Sequence, residues 1–99
     1  MVKVRNITSE RSGESVRNQF IIKVDGVKYF QSYDTTIAKY DYRNNKLYVV
    51  RGATDYSTTT SKYFYKFLRD EVGLSVYSKK DFKRDCDECD AIIIVDEID

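Results

Sequence analysis

A chain of 99 residues has room for one hydrophobic core, because two would leave each half too small to bury enough apolar surface without metals or disulfides. With 41% hydrophobic and 33% charged residues it is too apolar to stay disordered, yet no apolar run approaches the roughly 20 residues that cross a bilayer. The formal net charge of +1 is not that of a dedicated nucleic-acid protein, and an N-terminus without an apolar core predicts a cytoplasmic location.

Residues 1–14 alternate charged and apolar side chains at Val2, Val4 and Ile7 and then dissolve into "TSERSGES", which predicts a short edge strand and a mobile loop. "SVRNQFIIKV" sets Phe20, Ile22 and Val24 on one face of a strand, and Asp25-Gly26 follows as a two-residue hairpin turn. "VKYFQSY" returns with Val27, Tyr29 and Tyr33 against Lys28, Phe30 and Ser32, and "TTIAKYDY" is a third β-rich stretch. Arg43-Asn44-Asn45 turns the chain into "KLYVV", since Asn tolerates positive φ. These segments form a four-strand antiparallel meander.

"DYSTTTSKYFYKFLRDEVG" places five hydroxyl side chains ahead of Phe64, Leu68 and Val72, which recur at i, i+4 and i+8. That spacing predicts the main helix over 58–72, capped by Ser57 or Asp55 and ended by Gly73. The hydroxyl cluster therefore reads as a helix start. "LSVY" is a short extended piece, and Ser78 with Asp81 resembles a capping box opening a second, shorter helix. Ala91 to Val95, "AIIIV", has the pattern of a strand buried on both faces, inside a sheet or a dimer. The fold class expected is α+β: a small antiparallel meander of about four strands plus a C-terminal strand, packed on one main helix and a short second one, in a single domain over 1–99.

Candidate chemistry is thin. Ile92 to Glu97 matches the apolar strand and acids of a nucleotide-hydrolase motif, but none of the glycines opens the phosphate loop that such an enzyme also needs. Cys86 and Cys89 have the spacing of half a zinc site, with no histidine and no second pair to complete it, and they lie too close to staple a fold. The neighbouring acids oppose thiolate formation, so two reduced thiols are expected. Asp70 with Asp81-x-Lys83 is similar to a nuclease metal site, but helical positions do not give the converging geometry. Without histidine a Ser-His-Asp arrangement cannot form. No catalytic, cofactor-binding or metal-binding residue is expected, and the chain is read as a non-enzyme.

Two surfaces stand out as partner-binding candidates. On the main helix Lys62, Lys66 and Arg69 fall at i, i+4 and i+7 with Tyr65 between them, an exposed cationic and aromatic face suited to phosphates or carboxylates. The second is acidic: residues 1–75 carry 13 basic and 8 acidic groups, whereas 76–99 carry 4 and 8, and Asp85, Asp87, Glu88 and Asp90 concentrate the excess. Nine tyrosines and no tryptophan add contact area. Both faces of the meander carry aromatics, with Tyr29, Tyr33, Tyr40 and Tyr42 set against Phe30 and Tyr48, and one helix layer cannot cover both.

"NQFIIK" (18–23), "YFQSYDTTIA" (29–38) and "DYSTTTSKY" with Phe67-Leu68 resemble a family of short proteins carried by bacteriophages and mobile elements, mainly of low-GC Gram-positive bacteria. The likeness runs from Asn18 to Glu71, and the family has no established activity, so it transfers no functional residue. It implies a phage origin; with no catalytic constellation, a mixed-charge surface and many tyrosines, the chain is then expected to be an accessory protein that works by binding in the host cytoplasm, as a monomer or homodimer and away from membranes. The sharpest expectation is an inhibitor of a host defence system, such as an anti-CRISPR protein whose acidic tail mimics phosphates against an effector complex. The alternative is a nucleic-acid-binding accessory protein using Lys62, Tyr65, Lys66, Arg69 and sheet tyrosines.

Overall fold

Strand β1 (Val2–Thr8) and strand β2 (Ser15–Val24) begin a meander that continues through β3 (Val27–Ser32), β4 (Thr35–Asp41) and β5 (Lys46–Val50) in a computed structural model that describes residues 2–98. Helix α1 (Thr58–Phe67) runs on as a wider π-helical turn (Leu68–Val72), and helix α2 (Lys79–Glu88) leads into β6 (Ile92–Val95). The six strands lie side by side in chain order, every pair antiparallel except β5 and β6. The architecture is α+β, as expected, with β1 joined to the meander as its first strand.

Local chemistry sets the element ends. Asp25 and Gly26 both have positive φ, 28° and 86°, the geometry that a two-residue hairpin demands. A Cβ on Gly26 would also come within 2.8 Å of the Arg43 guanidinium carbon. Ser57 caps α1, its hydroxyl accepting from the Thr60 N–H at 3.0 Å. Gly73, at φ 89°, ends the π turn by donating to the Leu68 carbonyl at 2.9 Å. At α2 the Ser78 hydroxyl accepts from the Asp81 N–H, but the Asp81 carboxylate accepts from Tyr77 N–H, one residue earlier than in a capping box.

Both helices pack on one face of the sheet. Phe30 lies against Phe64 and Phe67 with ring centres 6.2 and 5.7 Å apart, and Phe82 of α2 meets Phe64 edge-on at 5.2 Å. Ile7, Ile21, Ala38, Leu47, Val49 and Leu68 are among the other buried residues of this layer. Strand β2 gives it Gln19 and Ile21, so Phe20, Ile22 and Val24 turn to the other side.

One expectation changes. The apolar segment 91–95 does not lie inside the sheet of this chain: β6 is its parallel edge strand, with Ile94 exposed. Residues 9–14 are a hydrogen-bonded turn, closed by Ser9 N–H to Glu14 carbonyl and Gly13 N–H to Ser9 carbonyl, both at 2.8 Å.

Candidate functional site

The cationic helix face expected to be exposed is largely covered. Tyr65 is buried, and the side chains of Lys66 and Arg69 are each only 16% exposed. The turn between β1 and β2 carries Glu10 over them, within 2.6 Å of Arg69 and 3.8 Å of Lys66, while Asp70 takes Lys66 at 2.7 Å. Arg69 also donates to the Val76 carbonyl and lies 4.5 Å from the centre of the Tyr77 ring. Of the four residues only Lys62 is exposed, its ammonium 5.4 Å from the Tyr63 ring centre. Helical spacing gives the face of a helix but not the loop that folds over it, and that loop brings the counter-charge.

Lys62, Tyr65 and Arg69 do line a groove of about 770 Å³, together with Asp55, Ser57, Ser61 and Tyr77. Its two serine hydroxyls are engaged in structure. Ser57 caps the helix and donates to Thr60, and Ser61 donates to the Thr54 carbonyl at 3.0 Å. Every resolved pKa shift here runs away from neutrality. The hydrogen bond and charge of Lys79 hold the Asp55 carboxyl below its usual range, Asp55 in turn raises Lys79, and burial pushes the Tyr65 hydroxyl up. A general base poised near neutral pH would require the opposite.

The acidic candidates gather at the far end of α2. Asp87, Glu88 and Asp90 are exposed; Asp85 is half-buried, 3.7 Å from Arg84. The last turn of α2 holds no basic residue, so these carboxylates sit unfavourably at the negative end of the helix dipole. Between them, burial and then the charges of Asp87 and Asp85 push the Cys86 thiol up. Cys86 and Cys89 are free and half-buried, and among the described residues no three potential metal ligands converge.

The sheet face away from the helices holds what the sequence pattern concealed. Register places Val4, Ile22, Tyr29, Lys39, Tyr48 and Ile93 in one row across all six strands. Beside it run Val2, Val24 and Val27 on one flank and Asn6, Phe20 and Gln31 on the other. Lys39 holds its ammonium 5.5 Å from the Tyr48 ring centre. Tyr29 and Tyr48 thus share a face, and Tyr40 and Tyr42 belong to the helix side with Phe30, which corrects the expected grouping. A register shift after Phe30 and the turns between strands break the simple alternation on which that grouping rested.

No helix among the described residues is long and apolar enough to cross a membrane. No curated protein and no solved structure matches the chain. A family model does match, and it extends beyond the Asn18–Glu71 stretch in both directions while stopping short of the acidic end of α2 and of β6. Over residues 2–84 the chain belongs to the family of unknown function DUF8033.

Proposed function

We propose that this chain acts by binding a partner protein, without catalysis, and that the open face of its sheet is the docking surface. The observation that carries this reading is the row from Val4 to Ile93, with Tyr29 and Tyr48 at its centre. Protein interfaces favour an apolar and aromatic middle within a polar border, and here Asn6, Gln31, Asp41 and Lys46 supply the border. Tyrosine is also among the residues whose truncation costs most at interfaces.

The test is affinity capture from nuclease-treated lysate of a host cell, comparing the native protein with Tyr29→Ala/Tyr48→Ala. We expect the double variant to fold normally and to lose any partner that the native protein retains, because two such truncations together remove about 4 kcal/mol of binding. Undiminished capture by that variant would rule out the open face.

A second reading rests on the exposed Asp87, Glu88 and Asp90. They would serve an inhibitor that presents carboxylates to a basic nucleic-acid channel, as in a CRISPR-type defence complex of a phage host. Asp87→Asn/Glu88→Gln/Asp90→Asn is then the damaging change, and the captured complex weakens with salt through slower association. A nucleic acid finds less on the α1 face, where Glu10 and Asp70 already neutralise Arg69 and Lys66.

A further inference from the structure

The helix side of the sheet carries a charge arrangement that no local motif announces. Register sets Lys3 directly opposite Lys23, and Lys23 directly opposite Lys28. Like charges facing one another across strands oppose folding, and among the described residues no carboxylate lies within ion-pairing distance of Lys3 or Lys23. Lys28 is met by Glu71 at 3.4 Å, and the same carboxylate takes Arg5 at 2.8 Å. Glu71 stands in the π-helical turn, where the wider backbone ring changes the direction in which the following side chains point.

An aromatic ring completes the cluster. Tyr42 is partly exposed, and its ring centre lies 5.8 Å from the Lys23 ammonium and 5.5 Å from that of Lys28. Two recesses flank the lysines. One, of about 420 Å³, is lined by Val4, Arg5, Ile21, Lys28 and Glu71; the other, of about 250 Å³, by Asp25, Gly26, Tyr42 and Arg43. Lys3 and Lys23 line both recesses, so the two form one trough astride the lysine pair.

We propose that this trough binds the phosphate groups of a single-stranded nucleic acid. Lysines that face one another across neighbouring strands, their Cβ atoms about 5 Å apart, are held together at a cost that a polyanion reverses. A recessed cationic track beside an exposed aromatic ring is the combination used by single-strand binders. The lysines and Tyr42 of this site lie on the other side of the sheet from the protein-docking face, and only Val4 of the edge strand is common to both.

Fluorescence anisotropy with a labelled oligothymidine of about 15 nucleotides, at about 50 mM salt and upward, tests it. Lys3→Gln/Lys23→Gln is compared with Lys80→Gln/Lys83→Gln, which removes the same charge from the exposed side of α2. The trough variant should bind at least ~10-fold more weakly, and its log–log salt dependence should be shallower by about 0.7 per lysine removed. The α2 variant should stay within ~2-fold of the native protein. The trough variant should also melt no lower than the native protein, because the facing charges are gone; this separates lost binding from lost folding. Equal losses in both variants, or no binding at low salt, overturns the proposal. Displacement of the strand by ATP or inorganic phosphate at matched phosphate concentration assigns the trough to a small ligand instead. A duplex of equal length binding as tightly removes the single-strand preference.

Discussion

Gln19 is the residue that fits its surroundings least well. It is fully buried, neither polar atom of its amide has a partner among the described residues, and it lies opposite Ser32, whose hydroxyl pairs with that of Thr60 at 3.0 Å. An unsatisfied buried amide costs about 1–3 kcal/mol, and an apolar side chain of similar shape avoids that cost. Gln19→Met should therefore raise stability by about that amount, read as a higher urea midpoint at unchanged slope. A lower midpoint would show that the amide is satisfied by a buried water. Periodicity could not expose this position, because Asn18 has φ 64° and local irregularity hides which neighbour faces inward.

Helix α1 shows how far local signals reach. Ser57, Gly73 and the stripe of Phe64 and Leu68 are all where the sequence places them, because caps and 3.6-residue periodicity depend on neighbours in the chain. Phe64→Ala should cost about 3–5 kcal/mol, since its ring packs against Phe30 and Phe82. Lys66→Ala should cost no more than about 1 kcal/mol despite its two carboxylate partners, because partly exposed pairs contribute little. Equal effects in urea unfolding would mean that the helix does not face the sheet through Phe64. The rest of the candidate sites was illegible for one physical reason: it depends on pairing between distant segments. Glu10 reaches Arg69 across 59 positions in the chain, the lysine facing requires the β1–β2–β3 register, and an apolar run such as 91–95 looks the same at the edge of a sheet as at its centre. The Asp25-Gly26 hairpin, by contrast, was legible because both positive φ values belong to adjacent residues.

At the scale of the whole molecule, one helical layer over a six-stranded sheet leaves titratable groups near its margins, with Tyr65 buried, Asp41 and Cys86 half-buried, and Asp55 and Lys79 exposed and so screened by solvent, and these shape the pH dependence of the fold. On the acid side the Asp41 carboxyl is held low chiefly by a hydrogen bond from Asn44, and that of Asp55 by Lys79, both below the usual 3.8. Such groups contribute stability that is fully present above 3.8 and lost as pH falls through their depressed values. On the alkaline side three groups are raised: the Cys86 thiol from 9.0 and the Tyr65 hydroxyl from 10.0, both chiefly by burial, and Lys79 from 10.5, chiefly by its hydrogen bond to Asp55. The unfolded chain loses these protons first, so stability is full below 9.0 and falls as pH rises through the raised values. The melting temperature should therefore be level, as far as these groups are concerned, between 3.8 and 9.0 and decline on both sides. Because Asp55 and Lys79 are partners at 2.8 Å, Asp55→Asn should soften both limbs at once, while Cys86→Ala should soften only the alkaline one and delay its onset from 9.0 to 10.0. Thermal melts across this range check the profile; an Asp55→Asn variant that altered the acid limb alone would show that Lys79 owes its raised pKa to another group.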